Sequence, residues 1–263
     1  MPALYAHDRF GTLVTREARG DLKQIILRYN LQFRTGLQGP DPLFFYKAYK
    51  GNRVRRYGTY LHHVSALPFL RHGASVIRRI GRDSKEYAYL LGYICHFVLD
   101  SECHPYVAQA MEETGVGHLQ IESEFEKYLL KEENQDPICY PLSDRMANDL
   151  VTAEAMDPFY PSISAKELHT SLRYYKFAKK LFQAKSPFRE HLTNFILKRL
   201  GKYDSLKGLM HAHKDIPECQ LTNLELERRL NAAVDLAAAL LEDFDAYVSH
   251  EVHLPERFNR TFE

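Results

Sequence analysis

The stretch GYICHFVLDSECHPYV, residues 92–107, has the apolar side chains of a buried helix, yet His96, Asp100 and His104 recur in it at every fourth position. Residues four apart on a helix share one face and lie about 6 Å apart. His96 and Asp100 could therefore bind one metal ion from successive turns, and the two oxygens of Asp100 could reach two ions. The simpler interpretation is a buried histidine with Asp100 as its hydrogen-bond partner.

A second pair with the same spacing follows, because His118 and Glu122 are also four residues apart. Taken alone, Glu122 could occupy the first turn of a helix, where the helix dipole favours acidic side chains. The pair begins only 14 residues after His104, however, and a glycine-containing loop separates the two. His104, His118 and Glu122 together supply two imidazoles and a carboxylate, a common zinc ligand set that leaves a position open for water.

Further candidate ligands lie upstream of both pairs. His7 occurs in YAHDRFG, Asp41 in QGPDPLFF, and His62 and His63 in YLHHVSA. Successive helical residues point about 100° apart, so His62 and His63 should not bind the same ion, and only one of the two is expected to be a ligand. Two helical pairs, preceded by several His and Asp residues near apolar segments, indicate a polynuclear metal site.

Hydrophobic periodicity predicts helices along most of the 263 residues, and no segment alternates as a strand would. We expect a long helix capped by Asp83 or Ser84 that runs to about Cys103, where Pro105 should disturb it. Residues 134–163 contain four prolines and should be looped, which makes them the one candidate boundary. Residues 164–183, 187–201 and 221–250 predict three more helices. The fold class is therefore all-α, a multi-helix bundle of one domain, residues 1–263, with a metal cleft.

Composition narrows the partners and the compartment. The formal net charge of +1 argues against a partner bound mainly through charge, so no stable nucleic-acid complex is expected. The basic runs RVRR and RRIGR could contact phosphate, although such runs are more often solvated helix faces. Neither a signal peptide nor a membrane-spanning segment is evident, which favours a cytoplasmic protein.

These motifs resemble the zinc-dependent phospholipase C family, which is related to the single-strand-specific zinc nucleases. The family signature of H-x3-D, a further His and H-x3-E is matched in one 27-residue window by His96, Asp100, His104, His118 and Glu122. The early His, the GPD aspartate and the following His of the family are matched by His7, Asp41 and His62. The resemblance covers about residues 1–130, and residues 164–263 add further helices.

The resemblance implies an all-α enzyme that holds two or three zinc ions and hydrolyses a phosphodiester with metal-bound hydroxide. A phospholipid headgroup is the expected substrate; single-stranded nucleic acid and a non-catalytic zinc-stabilised scaffold are the alternatives. Asp41 would be a ligand or the general base for the attacking water. The resemblance also implies that Asp100 bridges two zinc ions, that His62 and His96 complete the first site, and that His7 belongs to the second. The third site would consist of His104, His118 and Glu122.

One feature of the secreted members is missing from this chain. Those enzymes bind zinc through an N-terminal tryptophan, whereas this sequence contains no tryptophan. Pro2 would become the N-terminal residue if Met1 were removed, and the second zinc ion of the pair is the one that this departure affects most.

Overall fold

The computed structural model describes residues 3–250 and 253–263, which contain twelve α-helices, short 3₁₀ helices and no β-strand. The all-α prediction is therefore confirmed. The α-helices are α1 Leu4–Glu17, α2 Gly20–Arg28, α3 Asn30–Gly36, α4 Arg53–His63, α5 Leu67–Ile80, α6 Lys85–Thr114, α7 His118–Glu132, α8 Leu150–Met156, α9 Ala165–Leu181, α10 Pro187–Arg199, α11 Tyr203–Leu206 and α12 Cys219–His250. The 3₁₀ helices are Asp41–Phe45, Leu142–Arg145, Asp157–Phe159, Lys207–Leu209 and Glu256–Asn259.

The helix α6 is the central element, and most of its side chains are buried. Ser84 caps it as predicted, because its side chain accepts a hydrogen bond from the backbone N–H of Tyr87. The predicted end near Cys103 is wrong, since α6 continues through Pro105 to Thr114. Pro105 is exposed, so its ring faces solvent while the buried side of the same turns keeps the helix packed.

A close backbone contact fixes α3 against α6. Gly36 and Gly92 face each other at this crossing, and a Cβ atom on Gly92 would lie 2.1 Å from the carbonyl oxygen of Phe33. Only glycine allows the two helices to approach this closely. The loop that follows α3, residues 37–40, therefore passes directly along α6 at the level of His96.

The other predicted elements agree with the structure in type more than in length. Residues 13–36 belong to three helices, α1, α2 and α3, and α1 begins at Leu4. Residues 134–163 are looped, as predicted, with only short helices. The basic runs make structural ion pairs: Arg53 with Glu167 at 2.7 Å and Arg82 with Asp245 at 2.6 Å.

The segment 253–263 folds back onto α4 and α6. The backbone N–H of Ala66 donates to the carbonyl of Arg260 at 3.1 Å, and the Arg257 guanidinium donates to Ser101 Oγ at 3.0 Å. These contacts place the buried side chain of Phe262 beside the polar face of α6. Among the described residues, no helix combines the length and apolar character needed to cross a bilayer.

Candidate metal centre

All eight predicted ligand side chains come together around the middle of α6. Seven of them are buried, and only His118 is half-buried, with 32% of its side chain exposed. They form three groups, each with its potential ligand atoms within 4.8 Å of one another. The groups are Asp41, His62 and His96; His7, His96 and Asp100; and His104, His118 and Glu122.

The first group joins the loop after α3 to the end of α4 and the middle of α6. His62 Nε2 lies 3.1 Å from Asp41 Oδ1, whereas the neighbouring His63 is exposed and pairs with Glu263 at 2.9 Å. Burial lowers the pKa of His62 to about 3 and that of His96 to about 4. Both imidazoles are therefore neutral at physiological pH, which is the form that binds a metal.

The second group centres on Asp100. Its Oδ1 lies 3.2 Å from His7 Nε2, and its Oδ2 lies 3.1 Å from His96 Nε2. The rings of His7 and His96 stack with centroids 4.4 Å apart. Although burial opposes ionisation, the positive charges that His104 and His96 can carry hold the pKa of Asp100 well below its usual range. Asp100 is thus an anion surrounded by imidazoles.

The third group lies between α6 and the start of α7. Glu122 Oε1 is 3.4 Å from His104 Nε2 and 3.1 Å from His118 Nε2. Burial lowers the pKa of His104, but Asp100 and Glu122 more than offset this and raise it to about 9. Asp100 Oδ1 is 3.6 Å from His104 Nε2, so the aspartate also contacts this group.

Backbone carbonyls orient three of the histidines in the same way. The Nδ1 atoms of His62, His96 and His104 lie 2.9, 3.1 and 2.8 Å from the carbonyl oxygens of Gly58, Leu37 and Phe262, respectively. An Nδ1–H that donates to a carbonyl leaves Nε2 as the unprotonated nitrogen of a neutral imidazole. In all three residues Nε2 is the atom that faces the centre of the site. His62 and His96 are neutral and ready to bind a metal, whereas His104, with its pKa of about 9, must first lose a proton.

Several buried polar atoms of these residues fit a metal better than a hydrogen-bond network. Within the described chain, His96 Nε2, Asp100 Oδ2 and Glu122 Oε2 are buried without a hydrogen-bond partner. His96 Nε2 and Asp100 Oδ2 are only 3.1 Å apart, but their geometry does not make a hydrogen bond. Unpaired buried polar groups are costly. Imidazole and carboxylate ligands bind zinc at about 2.0–2.2 Å, and the spacing within each group suits that distance.

The predicted metal cleft is narrow. A cavity of about 30 Å³ lies between the second and third groups, lined by His7, Asp100, His104 and Glu122 and walled by apolar side chains such as Leu226. A cavity of about 10–15 Å³ is already large enough to hold one water molecule. The space therefore suits ions and water. The half-buried His118 is the most exposed of the eight candidate ligands.

Two residues that support the site were not anticipated from the sequence. Gly39 has a φ of +49°, and a Cβ atom there would lie 2.1 Å from His96 Cδ2. Phe262 places its ring 5.2 Å from that of His62 and 5.7 Å from that of His96, between centroids. The glycine of the GPD motif was a signal for the first residue, whereas no sequence pattern near position 262 indicated the second.

The arrangement differs in one respect from the expected sharing of ligands. His62, His96 and Asp100 were expected to meet at one ion, but Asp41 is the carboxylate grouped with His62 and His96. His96 belongs to two groups, while Asp100 contacts His7, His96 and His104. Pro2 lies outside the described residues.

A family model described as zinc dependent phospholipase C matches residues 12–203, well over half of the chain. The match begins after His7 and extends beyond residue 130, through the looped region and as far as α11. Comparison with curated proteins and with solved structures finds no match.

Proposed function

Because the chain belongs to the zinc-dependent phospholipase C family, we propose that it hydrolyses a phosphodiester, with a phospholipid headgroup as the substrate. The observation that carries the proposal is the convergence of eight buried or half-buried ligand side chains in three adjoining groups. The family match and these groups together fit a metal-dependent hydrolase. The substrate and the roles of the individual residues are our inference.

The side chains of this chain would divide the work as follows. Zinc, when bound, supplies Lewis-acid activation of the phosphoryl group and lowers the pKa of a water molecule toward about 7. Asp100, which contacts His7, His96 and His104, would be a metal ligand whose negative charge balances part of the metal charge. Asp41 would orient the attacking water and accept its proton at a carboxylate oxygen, since His62 holds that carboxylate at 3.1 Å.

The burial of the site supports this chemistry. Phe262 and the walls of the cavity exclude bulk water, which strengthens every charge interaction at the reacting centre. The phosphodiester would approach from the side of His118, where the site is most exposed. The narrow cavity would then accept the phosphoryl oxygens, while the rest of the substrate remains outside.

A zinc-stabilised scaffold is the alternative from another class. Such a protein would need only the group of His104, His118 and Glu122, whereas His7, Asp41 and His62 are also drawn into the site. A scaffold gives no reason to keep these extra ligands buried at a cost in desolvation. The nuclease alternative uses the same chemistry, and the family description favours the phospholipid over nucleic acid.

Metal analysis combined with hydrolysis assays tests the proposal. Protein purified without chelator should contain two or three zinc ions, and it should release a phosphorylated headgroup from phosphatidylcholine faster than it cleaves single-stranded DNA. Asp41→Asn should keep most of the metal, because His62, His96 and the other two groups remain, but it should lower turnover by about 10²–10⁴-fold, as expected for loss of a general base. Asp100→Asn should lose metal and activity together. A single zinc ion and no hydrolysis of any phosphodiester would support the scaffold instead.

A further inference from the structure

Large apolar side chains are exposed in one part of the protein far more than elsewhere. Of the eighteen exposed large hydrophobic residues in the described chain, eight lie between Tyr174 and Leu200. Scattered exposed apolar residues are normal, but so many in one segment of the chain indicate a candidate binding surface. On α9 the exposed large hydrophobic residues are Tyr174, Phe177 and Leu181, which lie on one face of the helix.

Helix α10 turns its apolar side outward. Phe188 is 74% exposed and Phe195 is 57% exposed, and Leu192 lies between them on the same face. The side toward the protein is more polar: Glu190 accepts a hydrogen bond from the backbone N–H of His213 at 2.9 Å, and only Leu197 is a buried residue of this helix. In water this orientation is unfavourable, because the apolar face has no described element to cover it.

The same surface is strongly basic. Residues 173–202 include nine Lys or Arg residues and one acidic residue, a net charge of +8. The whole chain carries +1, so the remaining residues together carry −7. Most of these basic residues are exposed, among them Arg189, Lys198 and Arg199 on α10 itself. We name the exposed apolar and basic residues of 173–202 the α9–α10 surface.

We propose that the α9–α10 surface binds an anionic phospholipid bilayer, with α10 lying in the plane of the headgroups. Exposed aromatic and aliphatic side chains beside Lys and Arg are the features of helices that lie at a membrane interface. At about 1.5 Å per residue, the 13 residues of α10 are too short to cross the roughly 30 Å hydrocarbon core.

A second copy of the chain would fit this surface poorly. A two-fold dimer places the same patch of both subunits face to face. Two surfaces that each contain eight more basic than acidic residues would repel one another. Anionic headgroups instead complement the charge while the bilayer accepts the apolar side chains, so one partner satisfies both features.

A short stretch of chain links the end of α10 to the start of α7, where His118 lies. After α10 the chain passes through α11 to Gly208, which packs so closely on Leu119 and Gln120 that a Cβ atom would lie 2.3 Å from the Leu119 carbonyl carbon. Leu119 directly follows His118, the most exposed candidate ligand. Gly208 comes nine positions after Arg199, so the end of α10 lies at most about 30 Å from this point. If the proposed function holds, membrane binding would bring the site to its substrate.

Vesicle co-sedimentation tests the inference without relying on catalysis. The full-length protein is mixed, in the presence of EDTA, with vesicles of phosphatidylcholine alone or with 30% phosphatidylglycerol. We expect strong binding to the anionic vesicles and at least tenfold weaker binding to the neutral ones. Phe188→Ser/Phe195→Ser should weaken anionic binding by about tenfold or more, since two exposed aromatic anchors are removed. Lys198→Gln/Arg199→Gln should weaken it by about tenfold through charge alone.

The matched control is Leu27→Ser/Leu31→Ser, which changes two residues on α2 and α3 that are 52% and 47% exposed. It should bind vesicles like the wild type. The inference would be overturned if the wild type ignored anionic vesicles, or if Phe188→Ser/Phe195→Ser bound them equally well. A wild-type dimer that this variant converts to a monomer would instead make the surface an interface between copies. Retained vesicle binding without zinc-dependent hydrolysis would refute only the proposed function.

Discussion

Replacing Gly39 by alanine should disrupt the metal centre through a single added methyl group. The φ of +49° at this position disfavours any residue with a Cβ, at a cost of about 1 kcal/mol. The new Cβ would also lie 2.1 Å from His96 Cδ2, so the ring would have to move by more than 1 Å to reach an ordinary contact distance. His96 is fully buried, and such overpacking costs about 1–3 kcal/mol.

Gly20→Ala is the matched control for this change. Gly20 has nearly the same backbone conformation, with φ of +52°, but nothing lies within 4 Å of a Cβ placed there. It should therefore show only the backbone cost of about 1 kcal/mol. Because His96 belongs to two of the three ligand groups, Gly39→Ala should also lose at least one zinc ion, whereas Gly20→Ala should keep its full content.

Urea unfolding in EDTA and zinc analysis after dialysis measure the two effects separately. Gly39→Ala should reduce the free energy of unfolding by about 2–4 kcal/mol in total. If it unfolded within about 0.5 kcal/mol of Gly20→Ala and retained as much zinc, the position of the His96 ring would not matter to the site. The assignment of His96 as a shared ligand would then have to be abandoned.

Three further outcomes follow from the same geometry. Phe262→Ala and Phe258→Ala each delete a fully buried ring and should each lower the free energy of unfolding by about 3–5 kcal/mol. Only Phe262→Ala should speed the loss of zinc to a chelator, because its ring contacts His62 and His96. Equal rates of zinc loss in the two variants would contradict this. In EDTA the melting temperature should be highest near pH 6.5. His104 has a pKa of about 9 in the fold, so its full stabilising effect is present below pH 6.5, the pKa of an unperturbed histidine, and is lost as the pH rises through 9. His62 and His96, with pKa values of about 3 and 4, stay neutral in the folded protein, whereas in the unfolded chain they take up protons below pH 6.5. The melting temperature should therefore also fall as the pH drops below 6.5. A melting temperature that kept rising to pH 9 would rule out these opposing effects of His104 and of His62 with His96. Zinc binding at pH 7.5 should release a proton from His104, seen by calorimetry as a heat that depends on the ionisation enthalpy of the buffer, and a heat independent of buffer would exclude it.

The predictable part of the site was the part encoded by local spacing. His96, Asp100 and His104 lie on one helix face, and His118 and Glu122 have the same four-residue spacing, so helical geometry alone brought each set together. The supporting contacts depend on distant parts of the chain. The carbonyl of Phe262 is 158 residues from His104, and no pattern in one sequence encodes such a contact.

The errors in the fold prediction have a similar origin. Local propensity ended α6 near Pro105, whereas packing of the buried face carries the helix to Thr114. The sequence predicted the helix α10 itself, but periodicity does not tell what covers an apolar face. Only the structure shows that this face is exposed.

The hydrogen bond between His104 and the Phe262 carbonyl sets an order of events during synthesis. The 158 residues between these partners take about 8–30 s to translate at roughly 5–20 residues per second. All eight candidate ligands, from His7 to Glu122, therefore leave the ribosome well before the carbonyl that fixes the His104 tautomer. An ion that arrives in this interval meets imidazoles that can still rotate and exchange protons. Nascent chains arrested before residue 262 should accordingly retain zinc less well than released ones.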